Sequence, residues 1–482
     1  VRGFLSMWGR ASLTLCVLIV LVSLSSAAIS DTNFTGNQPD TTIVTCAGTL
    51  QTEGDLLVRS NGIREVFGST GKGVKVGVIG NGVESLQESQ ESGELAEVTV
   101  FATGSGDEGT AMLEIIHDLA PDADLYFYAY GGSSAEFKKA VSYLAQAGCQ
   151  IICDDLYFFQ QPFLEDGDVA DHIRNVLTAY PDLIYITVSG NFASLHYQGS
   201  WKPGITAGPD KTIHDFGEGV SAIKITLLPD DEVIITLQWD DPWGSATHDY
   251  DLFITDPKKG EVLATSNMNQ EETGEPFEHL VYHWQGSEPI QASLSIIRNG
   301  ENLTPSILEM FIRNVDIRQV DSDIVKDPAD SIFGHAALEE VITVGSVGID
   351  TPYAISPDSS QGPVTIQNPM PTRRWKPDIC APTNVQVSGA GSFPVPFPGT
   401  SAAAPHVAGV IAQLLSSFPD ISRTELMDAV YANTFDIGES GWDPIYGYGL
   451  IDAVKTFQSL YENNREILIG QDLENITGYQ GL

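Results

Sequence analysis

A chain of 482 residues, 42% of them hydrophobic and 46 of them glycine, is long enough for two or three domains with substantial cores, which excludes a disordered or fibrous protein. Its 64 acidic residues against 24 basic ones leave a net charge of −40, a surface that repels nucleic acid and anionic membranes and attracts cations. The acids are spread along the chain, which fits a soluble or salt-adapted surface better than a binding tail.

Arg2 and Arg10 precede the apolar run Leu13 to Val22, and small residues follow to Ala28. That is a signal-peptide pattern over 1–28, too short for a comfortable membrane span. No later stretch approaches the length of a span, so the mature chain is expected to be secreted or extracytoplasmic, without a stable membrane segment. Cys16 would leave with the signal. Cys46, Cys149, Cys153 and Cys380 remain, an even set in an oxidising compartment whose pairing the sequence leaves open. No metal site is expected at Cys149 and Cys153, which have neither a second cysteine pair nor nearby histidines.

Residues 29–50 are polar and threonine-rich, a leader expected to be mobile. From 51 to 210 strands alternate with helices. Val74 to Ile79 is a buried strand ending in Gly80-Asn81-Gly82, and Val98 to Phe101 is another. A helix runs from about Thr110 to Leu119, where Pro121 ends it. Leu125 to Tyr130, Gln150 to Cys153 and Leu183 to Val188 are further strands, with helices at Ser134 to Ala147 and Val169 to Ala179. This alternation predicts an α/β fold, a parallel sheet flanked by helices, with ligands at the C-terminal ends of its strands. Between 211 and 320 the pattern changes to short alternating runs such as Ile223 to Leu227 and Val233 to Leu237, separated by Pro, Asp and Gly turns. That reads as an inserted β-sandwich, jelly-roll-like. The α/β character returns over 321–462, with the strand Val341 to Val347 and a final helix near Ile451 to Tyr461. Residues 463–482 are a C-terminal tail.

Near the end of this second part, Pro398-Gly399-Thr400-Ser401 delivers a serine to the start of an Ala-rich helix. Val410, Ile411 and Leu414 mark the buried face of that helix, and Pro405 is expected in its first turn, where a missing N–H is harmless. A serine at a helix N-terminus faces free N–H groups and a dipole that favour developing negative charge. The same residues also suit a plain helix cap.

The wording Gly399-Thr400-Ser401-Ala402-Ala403-Ala404-Pro405-His406-Val407-Ala408-Gly409 resembles the serine motif of the subtilisin-like serine proteases, or subtilases. Four further segments extend the resemblance over roughly 70–200 and 332–460. The strand ending at Asn81 resembles the family's first motif, with Asn81 where the family has aspartate. Asp107-Glu108-Gly109-Thr110 resembles the second, with Glu108 in the histidine's place. Val188-Ser189-Gly190-Asn191 resembles the segment whose asparagine completes the oxyanion hole, and Lys376 to Pro382 resembles the approach to the serine loop. The resemblance implies a subtilisin-like sheet in which Ser401 is the nucleophile and Asn191 an oxyanion donor. His117 falls on the opposite side of the helix from Glu108, so Glu108 is the better general base. Sedolisins, acidic relatives with this fold, use a glutamate at that place; their second acid falls here at Met112, which cannot titrate. Asn81 can orient Glu108 but cannot share a proton with it. Asp155 and Asp107 are candidates for the missing second acid.

In the insertion, Trp239 to Gly244 and Asp249 to Leu252 resemble the jelly-roll domains appended to secreted peptidases. Their clustered aspartates make Ca²⁺ a candidate cofactor beside a plain acidic turn, and no other metal is expected. Asn33, Asn302 and Asn475 begin N-x-Thr sequons. The resulting expectation is a secreted serine endopeptidase acting on a polypeptide through an acyl-enzyme on Ser401. Its rival is an exported, catalytically impaired protein that keeps the cleft only to bind peptides or proteins, a reading that Asn81 favours.

Overall fold

Apolar runs that end in Gly, Asn or Asp turns become the strands of the α/β part. The computed structural model describes residues 50–464 except 301–303, 305 and 322. The signal peptide, almost all of the leader and tail, Cys16, Cys46 and the three sequon asparagines lie outside the described residues. After two short helices, α1 (Glu53–Leu57) and α2 (Ser60–Phe67), the chain alternates. It runs through β1 (Lys75–Gly80), α3 (Leu86–Ser92), β2 (Val98–Ala102), α4 (Glu108–Leu119) and β3 (Asp124–Ala129). It continues through α5 (Ser134–Gln146), β4 (Ile151–Asp154), α6 (Asp168–Ala179) and β5 (Ile184–Val188).

Among the described residues, eleven strands and one short α-helix then form the insertion. They are β6 (His196–Ser200), β7 (Pro203–Gly208), β8 (Lys211–His214), β9 (Ile223–Leu227), β10 (Glu232–Trp239) and β11 (Asp249–Asp256). After β12 (Glu261–Ser266) and α7 (Gln270–Thr273) come β13 (Phe277–His283), β14 (Ile290–Asn299), β15 (Ile307–Arg313) and β16 (Val320–Asp321). One sheet has the order β13-β10-β15-β6. The other has the order β12-β11-β14-β8-β7, with β9 joining β14 to β16. Their pairings are antiparallel, and Ile225, Leu237, Tyr250, Leu252, Leu294 and Met310 belong to one buried core between them. The sandwich therefore starts at His196, earlier than the expected 211. Its first strands carry Gly, Ser and Pro and are partly exposed edges, so they lack the alternating apolar signal that marks the later ones.

The chain returns through β17 (Ile342–Gly348), the hairpin β18 (Val364–Ile366) and β19 (Thr372–Arg374), and β20 (Ile379–Thr383). It ends in α8 (Thr400–Ser417), α9 (Arg423–Ala432) and α10 (453–464). The main sheet has the order β2-β3-β1-β4-β5-β17-β20 and its pairs are parallel, as the alternation predicts. Its central strands β4 and β5, and β20 at one edge, are buried at every position, as a sheet covered on both faces requires.

The helix carrying Ser401 differs from the one-sided element expected. Every residue of α8 from Thr400 to Leu414 is buried, because its Ala and Gly side chains let neighbours approach on all sides. A Cβ added at Gly409 would lie 2.7 Å from the Leu119 Cβ, so α4 and α8 cross at a spacing that admits only glycine there. Since α8 begins at Thr400, Pro405 sits inside the helix rather than in its first turn. It withholds the N–H that would have reached the Ser401 carbonyl. Among the described residues, no helix is long and apolar enough to cross a membrane.

Candidate active site

Four chain segments converge at the C-terminal edge of the sheet. Asn81 follows β1 directly, and β1 pairs with β4 through Ile79 and Asp154, so Asp155 emerges beside it. The N–H of Gly109 donates to the Gly82 carbonyl at 3.0 Å, which pins the start of α4, and with it Glu108, over the same edge. Ser401, in the first turn of α8, completes the group. Asn81, Glu108, Asp155 and Ser401 line one cleft of about 340 Å³ together with Tyr157 and Phe158. The sequence reading nominated all four residues separately, and the fold brings them together.

Within the cleft the Ser401 hydroxyl and the Asp155 carboxyl both bear on the Glu108 carboxylate. The Asn81 amide approaches Glu108 Oε2 at 3.4 Å. Desolvation by burial raises the pKa of Glu108, opposed by the hydrogen bonds from Ser401 and Asp155. Asp155 is raised well above the usual carboxylate range, first by burial, then by the charges of Glu108 and Asp154. Two carboxyl groups in contact and out of water hold one proton between them. The stronger upward push falls on Asp155, which is buried, while Glu108 stays partly exposed beside the serine.

Asn191 sits just after β5. Its Oδ1 accepts from the Thr400 N–H at 2.9 Å and from the Thr400 hydroxyl at 3.0 Å. The Tyr157 hydroxyl also engages its side chain, so the carboxamide is held from two sides with its NH₂ beside the serine turn. Gly399 has φ 80° and ψ −177°, a conformation essentially restricted to glycine, and a Cβ there would lie 2.9 Å from Asn191 Nδ2. Asn191 and the N–H of Ser401 are thus arranged as a pair of donors at a helix N-terminus.

Asp107 is not brought into this group. Its carboxylate accepts from the Ser85 hydroxyl at 3.0 Å and from the Ser85 N–H, at the start of α3. His117 is buried elsewhere on α4, near Glu94, and its pKa is lowered by burial. Lys376 and Asp378 are structural: Lys376 Nζ donates to Asp378 Oδ2 at 2.6 Å and to the Val341 carbonyl at 2.7 Å.

Sequence reasoning missed the support beneath Asp155. Asp154 Oδ1 accepts from the Thr187 hydroxyl and the Leu156 N–H, both at 3.0 Å, and lies 3.2 Å from His335 Nε2. The doubled aspartate at the end of β4 was the available signal, since only one of two adjacent strand residues can face the cleft. Tyr157 had no local signal at all.

Two of the insertion's clustered aspartates, Asp241 and Asp251, face donors of the protein itself. Asp241 Oδ2 accepts from the N–H groups of Thr247 and His248 at 2.7 Å each, and Asp241 Oδ1 lies 2.8 Å from His248 Nδ1. Asp251 lies 3.5 Å from Lys211. These carboxylates face N–H and ammonium donors rather than converging on a cation, so the calcium reading gains no support from them. Among the described residues, no group of three or more His, Cys, Asp or Glu side chains is placed to hold a metal ion. Cys149, Cys153 and Cys380 are buried free thiols.

Comparison with known proteins agrees with this geometry. Residues 308–449 match the Subtilase family (Peptidase_S8). Fervidolysin of Fervidobacterium pennivorans is 40% identical over 68 residues, 14% of this chain and 10% of that protein. The Aeromonas extracellular serine protease of Aeromonas sobria is 23% identical over 263 residues, 43% of this chain and 40% of that one. The chain therefore spans a tenth to two-fifths of the length of these relatives. Among solved structures, the Clostridium perfringens CspB protease superposes with a TM-score of 0.58 at 14% identity, covering 84% of this chain and 96% of that one. The subtilisin-like α/β fold is thereby shown.

Proposed function

We propose that this protein is a serine endopeptidase in which Ser401, Glu108 and Asp155 form the catalytic relay. The observation that carries the reading is the gathering of Ser401, Glu108 and Asp155 in one cleft, where the serine hydroxyl and the second carboxyl both bear on the Glu108 carboxylate. The family match over 308–449 and the serine proteases among the relatives support it.

The chemistry follows from the protonation states. Glu108, ionised, takes the proton of Ser401 as its oxygen attacks a peptide carbonyl. Asn191 and the Ser401 N–H donate to the oxyanion that forms. Asp155, protonated, donates to Glu108 throughout and fixes its orientation, the part an aspartate plays toward histidine in the usual triad. Protonated Glu108 then delivers its proton to the leaving amine, which leaves an acyl-enzyme on Ser401. Water enters and attacks the acyl carbonyl as Glu108 accepts its proton; Glu108 then returns that proton to the Ser401 oxygen as the ester bond breaks, and the acyl group departs as a carboxylic acid. Asn81 contributes an orienting amide rather than a proton. The apolar run at Leu13 to Val22 and the relatives named as extracellular support action outside the cytoplasm on polypeptide substrates.

The test is covalent labelling of the full chain by a fluorophosphonate. Labelling should occur at Ser401, disappear in Ser401→Ala and fall sharply in Glu108→Gln, with both variants still folded. Labelling that survives Ser401→Ala overturns the assignment. A folded chain that binds peptide yet never labels or cleaves is the impaired binding protein instead.

A further inference from the structure

A second pocket of about 440 Å³ adjoins the catalytic cleft, and the two share Tyr157. Its wall on the α/β side includes Tyr157, Asn191 and Phe192. Its other wall is supplied by the insertion, from the end of β15 onward, and includes Arg313 and Asp316. The two charges are in different situations. Asp316 is bound by Arg318 through its guanidinium and its N–H, and these contacts hold its pKa down to about 2. Arg313 forms no ion pair among the described residues. Its guanidinium lies 3.7 Å over the Phe159 ring, and its Nε is buried without a hydrogen-bond partner. Burial lowers its pKa, the mark of a cation that no carboxylate compensates. Arg313 is thus a half-buried cation in the pocket wall with no carboxylate paired to it among the described residues, while the pocket's own acid, Asp316, is already held by Arg318.

Position says what it would meet. The carbonyl under attack lies against Asn191, so the side chain of the residue supplying that carbonyl lies within reach of a pocket that has Asn191 in its wall. Stacking on Phe159 holds the guanidinium plane while leaving its edge, with the hydrogen-bonding N–H groups, toward a ligand. A carboxylate matches that edge in charge and in shape.

We propose that this pocket selects an acidic side chain, aspartate or glutamate, on the acyl side of the scissile bond, with Arg313 as the specificity-determining residue. The inference rests on the endopeptidase reading and names the substrate class that the insertion imposes on it.

The experiment uses quenched fluorescent peptides identical except for Glu, Gln or Lys at the residue before the cleaved bond. The unmodified chain should cleave the Glu peptide with a kcat/KM on the order of tenfold or more above the Gln peptide, as loss of one charged hydrogen-bond pair implies. Arg313→Gln should remove the difference, Arg313→Lys should keep part of it, and Arg313→Glu should turn the preference to Lys. Circular dichroism of each variant controls for the loss of the Phe159 contact, and Arg313→Lys keeps the test open if the other two fail to fold. Equal cleavage of Glu and Gln peptides, or a preference that outlives Arg313→Gln, overturns the inference. Binding of the same peptides to Ser401→Ala by fluorescence anisotropy separates the two readings. If nothing is cleaved but Ser401→Ala binds Glu over Gln and loses that preference with Arg313→Gln, catalysis is refuted and the acidic pocket stands. If binding shows no preference either, the acidic pocket falls.

Discussion

Replacing Asp155 by asparagine tests the relay most directly. The side chain keeps its shape and can still donate an N–H to Glu108, but it can no longer hold a proton. Two carboxyl charges in hydrogen-bond contact, roughly 4 Å apart at an effective dielectric near 20, repel by about 4 kcal/mol. That equals about 3 pK units, so the natural pair should lose its protons in two well-separated steps. Activity belongs to the singly protonated pair. It should rise as the first proton leaves and fall again as the second does, giving a bell-shaped kcat profile. In Asp155→Asn the raised, second titration is gone. The carboxylic acid beside Glu108, which lowers its pKa against burial, is replaced by a weaker amide donor, so the acid limb should move to higher pH and the alkaline fall should vanish. The plateau itself should drop about 10- to 100-fold, because the bond from Asp155 that orients the ionised Glu108 toward the serine is charge-assisted and contributes about 1.5–3 kcal/mol. The assay is kcat for an unstructured protein substrate from acidic to alkaline pH on both forms. An Asp155→Asn enzyme with an unchanged bell and unchanged kcat would place Asp155 outside the relay and refute the reasoning.

Asn81→Asp should not improve the enzyme: a third carboxylate 3.4 Å from Glu108 pushes its pKa further up, so kcat at neutral pH should fall and the acid limb should shift upward. Gly399→Ala should lower kcat by about 10²-fold, since its Cβ displaces the Asn191 donor, with a stability loss of about 1–3 kcal/mol seen in urea unfolding. Stability should decline from mildly acidic to alkaline pH. Burial raises Asp118 to about 8 and Glu278 and Glu309 to about 7, all above their unfolded values. Between the unfolded and folded pKa values the native state binds the extra protons, so unfolding free energy drops as pH rises through that window. A urea midpoint at pH 8 equal to or above that at pH 5.5 contradicts this.

The main architecture was legible in the sequence because parallel strands buried on both faces read as continuous apolar runs, and Val74 to Ile79 or Leu183 to Val188 can hardly be anything else. The serine loop was legible for a similar reason: Gly399, Thr400 and Ser401 do their work locally. Glu108 and Asn191 became visible only by resemblance, since a carboxylate at a helix start and an amide after a strand have ordinary local explanations. The choice between Asp107 and Asp155 was beyond reach. Both flank the site in sequence, and only the pairing of β1 with β4 and the turn at Ser85 send one inward and the other away. Arg313 gave no signal either, because its role depends on the insertion folding back against Phe159.

The way the insertion is tied down bears on how the chain assembles. β5 and β17 are neighbours in the main sheet, paired through Val188 and Val344, yet the whole sandwich lies between them. His196 and Lys326 meet in a bridge at the root of that sandwich, beside the pairing of β6 with β15. If the sandwich forms first, this root short-circuits about 130 of the about 156 positions separating the paired valines, reducing the entropy lost on closing the sheet by about 1.6 kcal/mol. A domain that walls the substrate pocket would then also nucleate the catalytic half. Pulsed hydrogen exchange should find amides of β10, β11 and β14 protected before those joining β5 to β17. Protection in the reverse order would mean that the two halves find each other unaided.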